Sequence, residues 1–237
     1  GQIAVDGDDV YWLEGRASEG GRNVLVRSSP GTPVVEVSPR DFNVRSRVHE
    51  YGGAAYTVYR GAIYASNFAD QKLYAFAVGE TPRALTPERY FYAQCRVDAS
   101  RRRLICVRED HTKGDQQPPA SIVAIPLGAS APSAGIVLAS GADFYSDPIV
   151  SPDGTRLAWL QWNHPNMPWD GTSLYVADLD GRGLPGSPVR VAGGAEESVF
   201  QPSWSPDGVL FFVSDRTGWW NLYRLQGSVA EPIHVMP

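Results

Sequence analysis

Lysine is nearly missing from this chain: among 21 basic residues only Lys72 and Lys113 are lysines, and the others are arginines. That bias reads as the codon usage of a GC-rich bacterial genome rather than as chemistry. Cysteine is scarce as well. Cys95 and Cys106 are too few for a disulfide framework. They flank the turn-like stretch 98–102 and could sit near each other on neighbouring strands; the expectation is two buried free thiols in a reducing cytoplasm. No apolar run approaches the ~20 residues that span a bilayer. The opening GQIAVDGDDVYW lacks the charged and apolar regions of a secretory leader, so a cytoplasmic location is expected. A net charge of −5 leaves no basic footprint, which argues against nucleic acid and anionic membranes as partners.

Chemical motifs are thin too. No Gly-x-Ser-x-Gly elbow exposes a nucleophilic serine. His49, His111, His164 and His234 show no metal-ligand spacing, and no Gly-rich phosphate loop occurs. The cluster Asp6, Asp8 and Asp9 lacks the glycine and twelfth-position glutamate of a calcium loop, so it reads as a solvated turn. No catalytic residue, metal or cofactor is expected from this chain alone.

What is present is a repeat. SPDGTRLAWL at 151–160 returns as SPDGVLFFVS at 205–214. The match extends through SLYVADL and NLYRL to the proline-led PVRV and PIHV. Older copies precede these: VDASRRRL at 97–104 superposes on VSPDGTRL, and GAIYASNFADQKLYAF at 61–76 shadows GVLFFVSDRTGWWNLYRL. Four short strands per copy, joined by Gly, Pro and Asp turns and with no helical period, define β-propeller blades. SPDG is then the tight turn between a blade's first and second strands, where Pro presets φ and Gly supplies a positive φ.

The expected fold is all-β, a partial propeller of four to five four-stranded antiparallel blades. Their approximate bounds are 4–48, 49–93, 94–144, 145–199 and 200–237. The first, built from DVYWL, NVLV and PVVEV, reads as lacking its opening strand. Natural rings usually hold six to eight blades, so the ring is expected to be incomplete. Unpaired blade edges would then favour self-association.

Candidate contact residues come from the position that precedes each inner strand. Tyr51, Tyr92 and Tyr145 stand five residues before equivalent inner-strand positions, and Val199 and Phe200 stand there in the last copy. Carboxylates accompany them, notably Glu50, Glu196 and Glu197. An aromatic mouth with acidic neighbours suits a cationic amine or a peptide. Two loops exceed what blade packing needs: RSRVHEYGG at 45–53, which carries His49, and NHPNMPWDG at 163–171. Arg108-Glu-Asp-His111 occupies the second loop's place one blade earlier.

RVHEYGGAAY, SNFADQKLY, VREDH, GADFYSDPIVSPDGTRLAWLQWNHPNMPWDGTSLYVADL and QPSWSPDGVLFFVSDRTGWWNLYRL together resemble the N-terminal propeller of the prolyl oligopeptidase family of serine peptidases, closest to its bacterial dipeptidyl aminopeptidase and acylaminoacyl peptidase branch. The resemblance implies a propeller that caps a following α/β-hydrolase domain, whose motifs do not occur here. It implies a noncatalytic filter that admits short peptides and holds their free N-terminus, with Glu50 as first candidate and Glu196-Glu197 as second. SPDG alone also occurs in TolB-like propellers, so a protein-binding scaffold is the alternative.

Overall fold

Alternating apolar residues with Gly, Pro and Asp between them leave the chain one stable option, short strands that zip to their sequence neighbours. The computed structural model describes residues 2–114 and 116–234. Five four-stranded sheets account for every strand among them, and each pairs its strands in sequence order. The first comprises β1 (Ile3–Asp6), β2 (Asp9–Arg16), β3 (Arg22–Ser28) and β4 (Val35–Glu36). The second holds β5 (Tyr56–Tyr59), β6 (Ala62–Ser66), β7 (Leu73–Phe76) and β8 (Arg83–Ala84). Next come β9 (Tyr90–Asp98), β10 (Arg103–Asp110), β11 (Ala120–Pro126) and β12 (Ile136–Ser140). The fourth sheet is β13 (Phe144–Val150), β14 (Arg156–Trp162), β15 (Ser173–Asp178) and β16 (Val189–Gly193). The fifth is β17 (Val199–Trp204), β18 (Leu210–Ser214), β19 (Asn221–Gln226) and β20 (Val229–His234). These are the blades of a propeller.

The first sheet corrects one expectation. It has its opening strand, because Ile3–Asp6 pairs antiparallel with β2, Ile3 opposite Trp12 and Asp6 opposite Asp9. The strand is short and its turn, Gly7-Asp8, lacks the SPDG signature, so nothing local marked it. The cysteines depart from expectation too. Cys95 on β9 and Cys106 on β10 form a disulfide with their Cα atoms 4.1 Å apart. Directly opposed residues of antiparallel strands approach to about 4.5 Å at the close pairs, which is within bridging range.

Two compact units emerge, one of Gly1–Val97, Arg102–Pro119 and Ala124–Ile136, the other of Asp98–Arg101, Ala120–Val123 and Val137–Pro237. In the first, Tyr11, Leu25, Phe42, Val44, Tyr56, Ile63 and Phe76 form a core between the first two sheets. Fully buried Tyr56 donates its hydroxyl to the Tyr11 carbonyl at 2.9 Å, so even this polar atom is satisfied. In the second unit, Leu160, Leu174, Val199, Leu210, Phe212 and Tyr223 do the same between the fourth and fifth sheets.

The SPDG turns are closed by their own side chains. Ser151 Oγ accepts from the Arg156 amide at 2.9 Å, Asp153 accepts from the Thr155 amide at 3.0 Å, and Gly154 turns at φ +73°. The second copy repeats this, with Val209 N donating to Ser205 Oγ at 3.0 Å and Gly208 at φ +82°. Arginines then reach from turn to turn. Arg101 Nη2 donates to the Gly154 carbonyl at 2.9 Å, and Arg156 Nη2 to the Gly208 carbonyl at 2.8 Å. Arg156 also lies over the Trp204 ring, 4.5 Å from its centroid.

Candidate functional site

The loop between the first two sheets is held by several backbone bonds and left-handed residues. Val48, 1% exposed, anchors it in the core. From there the backbone tightens: Glu50 N donates to the Arg47 carbonyl at 2.8 Å and Gly52 N to the Val48 carbonyl at 2.9 Å. The tightening forces His49 and Glu50 into the left-handed region, at φ +57° and +63°. Non-glycine residues adopt it rarely. At Gly52, φ is +91° and a Cβ would stand 2.8 Å from the Ser46 carbonyl oxygen, so glycine is required. Gln71, itself buried, fixes the other flank by accepting from the Arg47 amide at 2.8 Å.

Behind the loop lies Glu109, near the end of β10 and only 6% exposed. Its Oε1 accepts from the His49 amide at 2.6 Å, and its Oε2 meets His111 Nε2 at 3.1 Å. His111 stacks on Phe91 at 3.7 Å, and its amide donates to the Arg89 carbonyl at 2.9 Å. Burial pushes the Glu109 carboxyl above its usual range, the His49 and His111 hydrogen bonds oppose that, and the charge of Glu50 adds to it. Burial also pushes the His49 imidazole down to about 4, so the ring is neutral at pH 7.

The outcome is a rigid turn that holds an exposed carboxylate, Glu50, next to an aromatic ring, Tyr51, which is 60% exposed. The Tyr51 and His49 rings are 5.7 Å apart. A surface carboxylate beside an aromatic face, backed by a second carboxylate, can attract and orient an ammonium group.

The other sequence candidates have different surroundings. Tyr92 and Tyr145 are buried, at 0% and 1% exposure. The Tyr92 hydroxyl donates to the Ala134 carbonyl at 3.2 Å, and the Tyr145 hydroxyl accepts from the Ala142 amide at 2.9 Å. Their rings are core, and Tyr51 is the member of this trio that meets solvent. In the second unit, Phe200 is 51% exposed and Glu196 is exposed. Glu197 is engaged, accepting from Arg216 Nη2 at 2.8 Å and from Ser214 Oγ at 2.6 Å. The 163–171 loop is tied to the same stretch, Ser198 Oγ donating to the Pro168 carbonyl at 2.6 Å and Asn166 Nδ2 to that of Ala195 at 2.7 Å. Trp169 projects from it, 63% exposed. Among the described residues no group of three or more His, Cys, Asp or Glu is placed to hold a metal ion, and no helix is long and apolar enough to cross a membrane.

Two features escaped sequence reasoning. One is Glu109, visible as a charge in VREDH but not as a buried partner of His49. The other is a left-handed residue repeated in the first strand of three blades, with a bulge beside it in two. Gln94, Asp147 and Gln201 sit at equivalent places with φ of +53°, +48° and +52°. The strand register shifts between Ser146 and Ile149 and again between Phe200 and Ser203. A polar residue two places after Tyr92, Tyr145 and Val199 was the available signal.

Five sheets of four consecutive antiparallel strands define a β-propeller-type protein. Against solved structures, the chain matches a puromycin hydrolase mutant complexed with PGG at 34% identity and TM-score 0.92, over 99% of this chain and 39% of that one. It matches a puromycin-hydrolyzing peptidase of Mycobacterium tuberculosis at 37% identity and TM-score 0.89, over 99% of this chain and 38% of that one. A putative TolB from Agrobacterium tumefaciens shares 14% identity at TM-score 0.56, over 100% of this chain and 72% of that one, a likeness of fold alone. No family model and no curated protein matches. The chain is an N-terminal propeller domain of the prolyl oligopeptidase family of peptidases. It spans under two fifths of the length of the puromycin hydrolases, at 39% and 38%.

Proposed function

We propose that this chain is the noncatalytic cap of a serine exopeptidase of the dipeptidyl or acylaminoacyl type, paired with an α/β-hydrolase domain. It filters peptide substrates by size and binds their free N-terminus. The observation that carries this reading is the Glu50-Tyr51 turn, an acidic and aromatic surface held rigid at φ values that cost energy to maintain. The likeness to puromycin hydrolases over 99% of the chain supports the class of parent enzyme. Exclusion of folded proteins by a cap is specificity built on steric grounds. The exposed apolar side chains of the first strand, Ile3 at 69% and Val5 at 68%, fit self-association through blade edges, which sedimentation across a concentration range would reveal.

The test uses dipeptidyl and acyl-aminoacyl chromogenic substrates and puromycin, assayed with this chain and with the full-length gene product. Activity is expected in the full-length product alone. Glu50→Gln should weaken use of substrates with a free amine by ten-fold or more and leave acylated ones unchanged. Inactivity of both proteins toward all three would overturn the cap reading in favour of a TolB-like binding scaffold.

A further inference from the structure

Glu109 is a buried charge that blade packing does not explain. A carboxylate 6% exposed, whose hydrogen-bond partners among the described residues are the His49 amide and His111, is an expensive thing to bury for packing alone. Its two oxygens are divided between two elements. One receives the amide of His49, the residue at which the loop enters the left-handed region, and the other meets His111, which is stacked on Phe91. The amide it receives belongs to the residue immediately before Glu50. A charge-assisted bond at 2.6 Å is of the short, strong kind. It offsets the backbone cost of two consecutive left-handed residues, and so selects the one loop conformation in which Glu50 and Tyr51 face solvent together.

We propose that Glu109 is the positioning residue of the amine-binding turn: through the His49 amide it fixes the carboxylate of Glu50 and the ring of Tyr51, and His111 fixes Glu109 in turn. This rests on the proposed role of Glu50. Glu109 does not touch the ammonium group; it determines where Glu50 meets it. The groups that bear on its charge are His49 and Glu50 from the loop and His111 from its own strand end. Removing Glu109 therefore differs from removing Glu50: the amine's partner remains but is no longer held.

The experiment compares the unmodified chain with Glu109→Ala, Glu109→Gln and Glu50→Gln. Hydrogen exchange reports on the His49 amide, and trialanine with its N-acetylated form serves as probe pair in nuclear magnetic resonance titrations. Glu109→Ala should release the protection of the His49 amide by more than ten-fold while the amides of β6 keep theirs. It should also weaken trialanine binding at least ten-fold. Glu109→Gln keeps an acceptor and should restore the protection and most of the affinity. If Glu109→Ala fails to fold, Glu109→Gln against Glu109→Leu carries the same comparison. An unchanged His49 amide and unchanged affinity in the Ala or Leu variant would overturn the proposal. If the unmodified chain does not distinguish trialanine from its acetylated form, the role of Glu50 is refuted. The positioning of the loop by Glu109 then stands or falls on the His49 amide alone.

Discussion

Acid should loosen the first unit through one side chain. The His49 imidazole is pushed down to about 4 by burial, whereas in the unfolded chain it titrates near its ordinary value of 6.5. A base whose folded value is depressed is neutral in the folded state while the unfolded chain takes up a proton. Stability is therefore complete above the unfolded value and drains away as pH falls from 6.5 toward 4. Between pH 7 and pH 5 linkage gives a loss of about 2 kcal/mol, an upper figure because part of the side chain meets solvent. Glu109 acts in the opposite sense. Its carboxyl is raised above the usual carboxylate value of 4.5, so the folded state takes a proton first and regains stability as pH falls through that raised value. The two effects separate by variant. His49→Gln removes the imidazole and keeps the backbone amide that Glu109 accepts. Urea midpoints of both proteins at pH 7, 6 and 5 should converge or cross, with the unmodified chain losing about 2 kcal/mol more across that span. Equal losses in the two proteins would show that His49 protonates as readily folded as unfolded, and the burial argument would be wrong.

Two further substitutions test the loop and the turns. Gly52→Ala places a Cβ 2.8 Å from the Ser46 carbonyl oxygen at φ +91°; a loss of about 2 kcal/mol or more is expected in thermal or urea unfolding, together with impaired amine binding. Arg156→Ala removes both the 2.8 Å bond to the Gly208 carbonyl and the cation held over Trp204; it should cost about 1–2 kcal/mol. Arg156→Lys should restore only part of this, because an ammonium cannot both bond in the guanidinium's direction and stack flat on an indole. A fully neutral Arg156→Ala in urea unfolding would show that the turn contact is incidental.

The blades were legible because their signals are local. Ser151, Asp153 and Gly154 form the turn with hydrogen bonds that span a few residues, so sequence carries the whole mechanism. The disulfide was not, since a composition argument addresses redox surroundings and not whether two strand positions face each other. The site divides along the same line. Tyr51, Tyr92 and Tyr145 look equivalent in the repeat, yet Tyr92 and Tyr145 lie inside β9 and β13 with their rings in the core, whereas Tyr51 precedes β5 on a loop opened by Gly52 and Gly53. Glu197 reads as a free acid until Arg216 arrives from the next hairpin. Glu109 lies 60 residues from the amide it holds, and no periodicity announces a partner at that distance.

The period of the repeat has a physical counterpart in those turns. Asp6 accepts from the amides of Arg60 and Gly61, 54 and 55 residues on. Arg101 reaches Gly154 across 53 residues, and Arg156 reaches Gly208 across 52. Each bond joins the first turn of one blade to the first turn of the next within its unit, so the sequence offset is the spacing of a structural contact. Such contacts couple nearest neighbours only, as in other repeat architectures. They also explain why turns persist while strands drift. A strand residue can change to another apolar residue and still pack, but a turn must keep its backbone carbonyl or amide where the neighbour's side chain expects it. Val209 occupies the place of Arg156 one copy later, since each gives its amide to the serine that opens its turn, and Leu210 takes the place of Leu157, buried at 1% exposure in the core of its unit. The second turn reaches its core position one residue sooner, which is why a letter-by-letter match of the two copies sets Leu210 against Arg156. Substituting Arg at 210 should therefore destabilise the second unit by burying an unpaired charge, whereas Arg at 156 stabilises it.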